Sequence, residues 1–114
     1  MLVRNGAYAG ELACAPSMPL GLGGPVVEVS IEPLQRGDRV LFYTDGITES
    51  LSPDRALFGA DRLADFLVRA TLERVPVGET ARRLSANVLN HTAGHLRDDA
   101  TLLLVEYRAQ DRAE

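Results

Sequence analysis

Alternation between apolar and polar positions predicts extended structure in the first third of the chain. Two short extended runs flank Asn5 and Gly6, a dipeptide that favours a tight β-hairpin. Residues 16–25 are rich in proline and glycine and predict a loop. Residues 26–31 (VVEVSI) then alternate with a period of two, which predicts a strand with one buried face.

Two denser apolar runs predict central strands. Residues 39–44 follow a turn at residues 35–38 and hold four large apolar side chains in succession, which is typical of a strand buried on both faces. This run ends at Asp45 and Gly46, so Asp45 is expected at the edge of the sheet. Residues 101–105 (TLLLV) form a similar run and predict the closing strand.

A helical period replaces the strand pattern between these two runs. Residues 61–74 and residues 77–92 each carry one apolar stripe, and Pro76 separates them. The inward-facing positions are Leu63, Phe66, Leu67 and Ala70, then Val77, Ala81, Leu84 and Val88. Gly94 is a suitable C-cap, and residues 109–114 are expected to fray. The order of elements predicts a layered α/β (α+β) unit.

Composition and charge narrow the function classes. The 114 residues are 46% hydrophobic and 25% charged, which is typical of one globular core. The net charge of −4 and the scattered arginines argue against a nucleic-acid-binding surface. Cys14 is the only cysteine, so an internal disulfide or a thiolate zinc cluster is excluded. Neither a membrane-spanning run nor a signal pattern is present, which predicts a cytoplasmic chain.

Aspartates lie at the ends of both predicted central strands. Asp45 ends the first, and Asp98 with Asp99 precedes the second. If these strands are neighbours, the carboxylates meet at one edge, where their repulsion favours a hard divalent cation such as Mg²⁺ or Mn²⁺. Asp-Gly is also a common turn, and the spacing alone favours ordinary turn and loop residues. Both interpretations stay open at this point.

Other candidate sites carry weaker signals. His91 and His95 could bind a metal at their spacing, but histidines near a helix C-terminus more often interact with its dipole or with solvent. Residues 21–24 are glycine-rich but lack the strand-to-helix context of a phosphate-binding loop.

Three ordered motifs resemble the PPM-type metal-dependent protein phosphatases. They are GDRVLFYTDGITES at residues 37–50, LFG at residues 57–59 and DDATLLLV at residues 98–105. The bacterial branch related to stage II sporulation phosphatases and to regulators of stress sigma factors carries similar GD-LLLYTDG-E, FG and DD-TLL segments. The PSMPLGLG segment at residues 16–23 is also similar. The resemblance covers nearly all of the chain.

The resemblance implies a fold and a ligand set. The fold would be a four-layer αββα sandwich with antiparallel sheets, of which residues 1–114 form the C-terminal half, with a helical pair before the last strand. Two Mn²⁺ or Mg²⁺ ions would lie between the sheets. Asp45 and Asp98 match metal-binding aspartates of the family, and Asp99, in the position beside Asp98, is a third candidate metal ligand. The family positions matched by Gly46, Glu49 and Thr101 imply supporting or structural roles.

The resemblance also implies an activity, with one departure. Metal-activated water would hydrolyse phosphoserine or phosphothreonine on a regulatory protein, such as an antagonist of an anti-sigma factor. However, neither the VGDVSGHG-like segment that carries the family's first metal aspartate nor its Asn-Ala-Gly-His segment is present. Activity is therefore expected to require the other half of the domain.

That activity has two alternatives. The first is an inactive remnant that binds partners, and a homodimer stays open because exposed sheet edges favour association. The second is a haloacid-dehalogenase-like phosphatase, which is excluded because Tyr43 stands where that chemistry needs an aspartate nucleophile.

Overall fold

A computed structural model describes residues 1–14, 16–24 and 26–109. Its four strands are β1 (Leu2–Arg4), β2 (Ala7–Gly10), β3 (Arg39–Tyr43) and β4 (Leu102–Glu106), in the spatial order β2-β1-β3-β4. Its helices are α1 (Asp45–Thr48), α2 (Ala60–Leu72) and α3 (Val77–His91). All strand pairs are antiparallel. The predicted mixed α/β class, with a helical pair before the last strand, is confirmed.

The hairpin between β1 and β2 forms at the predicted dipeptide. Asn5 and Gly6 both adopt left-handed backbone angles, with φ of 52° and 70°. Two such residues in succession give the tight turn whose twist matches that of paired strands. The turn sets Arg4 opposite Ala7.

The core lies between one face of the sheet and the long helices. Leu41 pairs with Leu104, and Tyr43 pairs with Leu102. On this face α3 packs against β4, and α2 packs against β1 and β2. The buried apolar cluster comprises Met1, Val3, Leu41, Ile47, Phe58, Leu63, Ala64, Leu67, Leu84, Val88 and Leu104. Burial of these side chains is the main favourable contribution to folding.

Both helices bury the predicted stripes. Leu63, Leu67 and Leu84 are fully buried, whereas Phe66 and Val77 are partly buried. Beyond the end of α3, Gly94 has a φ of 81° and donates its N–H to the Leu89 carbonyl at 2.9 Å. The C-cap itself is Thr92, and Ala93, with a φ of 52°, takes the first left-handed position after it, so Gly94 completes the closure from two residues beyond the cap, not at the cap position predicted for it.

The predicted strand over residues 26–31 is wrong. The segment forms no strand, and Val26, Val29 and Ile31 are 92%, 82% and 87% exposed. Alternation indicates which face of a strand would be buried, but a strand also needs a neighbour to complete its hydrogen bonds. Within the part of the chain that the structure describes, this segment has no neighbouring strand and no apolar cover.

The prediction that residues 39–44 are buried on both faces is also wrong. Val40 and Leu41 are buried, but Phe42 is 54% exposed. Leu103 and Val105 of β4 are exposed as well, and Leu103 lies directly opposite Phe42. The helices cover one face of the sheet, and the described residues leave this part of the other face open. They thus form one sheet and one helical layer of the four layers that the resemblance implies.

Two further predictions concern the ends of the chain and the membrane. Most of the tail predicted to fray, residues 110–114, lies outside the described residues. None of the described helices combines the length and the apolar character that a bilayer span requires.

Candidate functional site

The two aspartate segments meet where β3 ends and β4 begins. The Thr44 N–H donates to the Thr101 carbonyl at 3.1 Å, and the Thr101 N–H donates to Thr44 Oγ1 at 3.0 Å. These bonds extend the pairing of β3 and β4 to the residue before Asp45. The predicted neighbourhood of the two central strands is therefore confirmed.

Gly46 lies against the backbone that follows Asp98. A β-carbon at this position would collide with the carbonyl oxygen of Asp99 and lie 2.8 Å from its carbonyl carbon. It would also lie 3.2 Å from the Ala100 α-carbon. Because side-chain carbons do not approach backbone so closely, glycine is required for this contact. The segments that begin with Asp45 and Asp98 are thus in direct backbone contact.

The three predicted carboxylates are exposed at this edge. Asp98 lines a cavity of about 170 Å³ together with Gly46 and Glu49, and its Oδ1 accepts a hydrogen bond from the Asp99 N–H at 2.8 Å. Asp45 lines a neighbouring cavity instead. Across residues 1–14, 16–24 and 26–109, no three His, Cys, Asp or Glu side chains form a metal-binding group. The shared metal ion therefore stays a prediction.

The cavity that Asp45 lines contains a carboxylate that sequence reasoning did not single out. Glu11 accepts hydrogen bonds from the Tyr43 hydroxyl at 2.8 Å and the Tyr8 hydroxyl at 3.4 Å, and it pairs with the Met1 ammonium at 3.1 Å. Glu11 and Tyr43 are 32 positions apart and share no motif. The contact between Glu11 and Tyr43 could therefore not be predicted from the sequence alone.

Burial and hydrogen bonding set the protonation states of Glu11 and Tyr43. Burial raises the pKa of Tyr43, and its hydrogen bond to Glu11 raises it further, to about 12. Burial also raises the pKa of Glu11, but the hydrogen bonds from Tyr43 and from the Met1 ammonium outweigh burial and leave it below its ordinary value. At neutral pH Tyr43 is therefore a hydrogen-bond donor beside Asp45, and Glu11 is an anion.

The two histidines do not form a common site. Both ring nitrogens of His91 are within hydrogen-bond distance of Arg62 and the Ala56 carbonyl, whereas His95 is exposed. The sequence-based preference against a histidine metal site is consistent with this arrangement.

Comparison with known proteins identifies the family. The family model for stage II sporulation protein E (SpoIIE) matches residues 1–108. The chain belongs to the SpoIIE family. The motif resemblance to the sporulation branch of the PPM-type phosphatases is thereby confirmed, since the match extends through all three motifs. No curated protein matches the chain.

A solved structure supports the same conclusion at the level of the fold. The chain is similar to the phosphatase domain of the cell fate determinant SpoIIE from Bacillus subtilis, with a TM-score of 0.51 and 21% sequence identity. The match covers 73% of this chain and 38% of that chain. At this identity the likeness concerns the fold alone. Most of the SpoIIE phosphatase domain structure has no counterpart in the match.

Proposed function

We propose that this chain supplies one part of the active site of a PPM-type protein phosphatase, which hydrolyses phosphoserine or phosphothreonine on a regulatory protein. The observation that carries the proposal is the contact of Gly46 with the backbone of Asp99 and Ala100. This contact brings Asp45 and Asp98, from distant parts of the chain, to one edge of the sheet. Membership of the SpoIIE family supports this interpretation.

In this proposal Asp45 and Asp98 are ligands of Mn²⁺ or Mg²⁺, and Asp99 lies beside them. Carboxylate oxygens are the ligands that these hard cations prefer. When bound, the ions would activate a coordinated water and neutralise charge on the phosphoryl oxygens. Thr44 and Thr101 hold the two ligand segments together, and Gly46 permits their close approach. Glu49 lines the same cavity as Asp98 and is assigned a supporting role.

Activity is proposed to require the remainder of a SpoIIE-type domain. The described residues do not assemble three metal-ligating side chains, so further donors are needed. The family's VGDVSGHG-like segment carries its first metal-binding aspartate, and that aspartate would supply a further ligand. The exposed side chains of Phe42, Leu103 and Val105 support the same requirement, because a second sheet of the sandwich would cover that face.

The substrate and the setting belong to the same proposal. The family resemblance favours a phosphoprotein that controls a sigma factor, such as an antagonist of an anti-sigma factor, in the cytoplasm. The acidic net charge of −4 supports a protein substrate over a nucleic acid.

The proposal is tested by joining the chain to the N-terminal part of a SpoIIE-type phosphatase domain and measuring Mn²⁺-dependent hydrolysis of p-nitrophenyl phosphate. Asp45→Asn and Asp98→Asn should each reduce turnover by about a hundredfold or more, since a ligand matters at least as much as a residue that only orients one. Asp65→Asn, on the exposed face of α2, is the matched control and should leave turnover unchanged. Full activity in either ligand variant would refute the assignment.

A second candidate is a non-catalytic fragment that binds partners. The open sheet face around Phe42 and Leu103 favours this alternative. The joined domain distinguishes the two candidates, because a non-catalytic fragment would give no Mn²⁺-dependent hydrolysis there. From the 114-residue chain alone we expect little or no turnover in either case, and robust Mn²⁺-dependent hydrolysis would show that the rest of the domain is not needed.

A further inference from the structure

The segment Leu57–Gly59, here called the LFG segment, is hydrogen-bonded to the end of α1. The Gly59 N–H donates to the Thr48 carbonyl at 3.0 Å, and the Phe58 N–H donates to the Ser50 carbonyl at 2.9 Å. Thr48 is the last residue of α1. The LFG segment is therefore bonded to α1 itself and to the residue two positions beyond its end.

A further hydrogen bond connects these acceptors to Asp45. Glu49, which lies between Thr48 and Ser50, donates its N–H to the Asp45 carbonyl at 2.8 Å. Since α1 is a single turn of four residues, this bond is the one that closes the turn. A shift of Thr48 or Ser50 would carry Glu49 with it and change the backbone at Asp45, the proposed metal ligand.

The core and the long helices hold the other side of the LFG segment. Phe58 is 3% exposed and belongs to the buried apolar cluster, together with Ile47 of α1. Its ring meets the His91 ring edge-on with centroids 5.4 Å apart, and the Arg62 guanidinium carbon lies 4.5 Å from its centre. Arg62 lies in α2, and His91 ends α3. The LFG segment thus connects α1 to both long helices.

Gly59 makes hydrogen bonds to both α1 and α2. It directly precedes α2, and its carbonyl accepts the N–H of Leu63 at 3.3 Å, while its own N–H donates to Thr48. Its backbone angles are φ 83° and ψ 154°, a region that is open essentially to glycine alone. A β-carbon at this position would meet no atom within 4 Å. The backbone conformation, and not a lack of space, therefore requires glycine here.

We propose that Gly59 is a positioning residue for the metal site, because its conformation lets the LFG segment hold α1 and thereby orient Asp45 beside Asp98. The inference rests on the proposed function, since Gly59 has this role only if Asp45 binds a metal ion. Any L-residue with a side chain at position 59 relieves its strain by changing φ. Because α2 fixes the peptide that follows, this rotation swings the preceding N–H away from Thr48 and frees the end of α1.

Gly37 provides a matched control for Gly59. It has a φ of 87°, its β-carbon would also meet open space, and its N–H donates to the Tyr107 carbonyl at 2.8 Å. It shares the positive φ and the anchoring hydrogen bond of Gly59, but it precedes β3 at the end opposite to Asp45. Gly59→Ala and Gly37→Ala should both lower the urea midpoint of unfolding, whereas only Gly59→Ala should affect metal binding.

The experiment uses the chain joined to the N-terminal part of a SpoIIE-type phosphatase domain. Without metal, hydrogen exchange of the Glu49 amide should be roughly fivefold faster in Gly59→Ala than in Gly37→Ala, as the weakening of one hydrogen bond implies. Mn²⁺ is then titrated calorimetrically. Gly59→Ala should weaken the affinity for Mn²⁺ about tenfold or more, the lower end of the loss expected when a residue that orients a metal ligand is replaced. Gly37→Ala should bind Mn²⁺ as the wild type does.

A second variant keeps the test decisive if Gly59→Ala does not fold. Phe58→Leu retains the glycine and the backbone hydrogen bonds but loses the ring that His91 and Arg62 contact. It should weaken the affinity for Mn²⁺ in the same direction by a smaller factor. Leu84→Val, which truncates a fully buried core residue of α3, is its control and should leave the affinity unchanged.

The inference is overturned if Gly59→Ala binds Mn²⁺ as tightly as Gly37→Ala, or if the Glu49 amide exchanges equally fast in both. Where Gly59→Ala does not fold, wild-type affinity in Phe58→Leu overturns it instead. If the affinities differ as predicted but the joined wild-type domain hydrolyses no p-nitrophenyl phosphate, the phosphatase function fails and the role of Gly59 in metal binding stands. If hydrolysis occurs and the affinities do not differ, only the role of Gly59 is lost. A joined wild-type domain that binds no Mn²⁺ refutes both.

Discussion

The two ends of β3 use the same type of side chain in opposite ways. Asp38, which immediately precedes the strand, is 1% exposed and accepts hydrogen bonds from the Arg4 guanidinium and from the Gln35 N–H at 2.8 Å. Asp45, just beyond the other end, is exposed. A carboxylate with internal donors stabilises the fold, whereas one that faces solvent can bind a cation. The Asp38 end of β3 is therefore structural, and the function proposed above places metal binding at the Asp45 end.

Two ion pairs stabilise the end of β3 at which Asp38 lies. Arg4 Nη2 lies 2.7 Å from Asp38 Oδ2, and Arg39 Nε lies 3.0 Å from Glu106 Oε1. Arg39 also donates to Thr80 Oγ1 at 3.2 Å. The described residues contain no buried side-chain nitrogen or oxygen atom without a hydrogen-bond partner. This satisfaction matters because an unpaired buried charge is costly.

The largest expected difference is in the free energy of unfolding when aspartate is replaced by asparagine at each end of β3 in turn. Asp38→Asn should lower the free energy of unfolding by about 2–3 kcal/mol, because the hydrogen bonds from Arg4 and from the Gln35 N–H lose their charged acceptor. Asp45→Asn should change it by less than about 0.5 kcal/mol, since the side chain is exposed. Urea denaturation measures both values. Equal losses in the two variants would contradict the division between the ends of β3.

A pair of glycine substitutions tests the contact between the aspartate segments. Gly46→Ala should cost about 1–3 kcal/mol, since the new methyl group would collide with the backbone of Asp99. Gly78→Ala is the matched control, because its β-carbon meets open space within α3. It should be neutral or stabilising by up to about 1 kcal/mol. Thermal denaturation gives the comparison, and a Gly46→Ala variant as stable as the Gly78→Ala variant would contradict the contact.

The ion pair at the Asp38 end of β3 should also make the free energy of unfolding depend on pH in the acid range. The hydrogen bonds from Arg4 hold the pKa of Asp38 below its ordinary value. A carboxylate with a lowered folded-state pKa stabilises the fold above its unfolded value of about 3.9, and this stabilisation is lost as pH falls through the folded-state value. The free energy of unfolding should therefore fall below about pH 4, and less steeply in Asp38→Asn. Identical acid profiles for the two proteins would show that Asp38 does not contribute.

The smallest expected effect concerns the Asp45 end. Burial and the hydrogen bond to Glu11 raise the pKa of Tyr43 to about 12. Glu11→Gln removes the nearby negative charge and should lower that pKa. NMR of the Tyr43 ring between about pH 9 and about pH 11 should show a neutral phenol in the wild type and the onset of ionisation in the variant. An unchanged titration would exclude Glu11 as the cause.

The sequence predicted the elements whose signals are local. The Asn5-Gly6 turn and the stripes of α2 and α3 depend on spacings of a few residues, and all three are present. The edge shared by Asp45 and Asp98 followed from the sequence only if the two apolar runs were neighbouring strands, and the family resemblance implied that arrangement. The turn and the helical stripes are thus the parts of the fold that short windows of the chain encode.

Features that depend on distant partners were not predictable in this way. Residues 26–31 alternate correctly but have no strand beside them in the described structure. The pairs Arg39–Glu106 and Glu11–Tyr43 join residues 67 and 32 positions apart. The directions of the Asp45 and Asp98 side chains, which line different cavities, depend likewise on packing that periodicity does not report.

The central claim is that the segments containing Asp45 and Asp98 bind one divalent cation together. Titration with Mn²⁺ of the chain joined to the N-terminal part of a SpoIIE-type phosphatase domain, followed by ¹⁵N NMR, tests it directly, because the ion broadens the amide signals nearest to it. We predict that amides at residues 45–46 and residues 98–100 broaden at the same Mn²⁺ concentration, and that Asp45→Asn weakens both effects. Broadening of one segment without the other, or of neither, would contradict the claim.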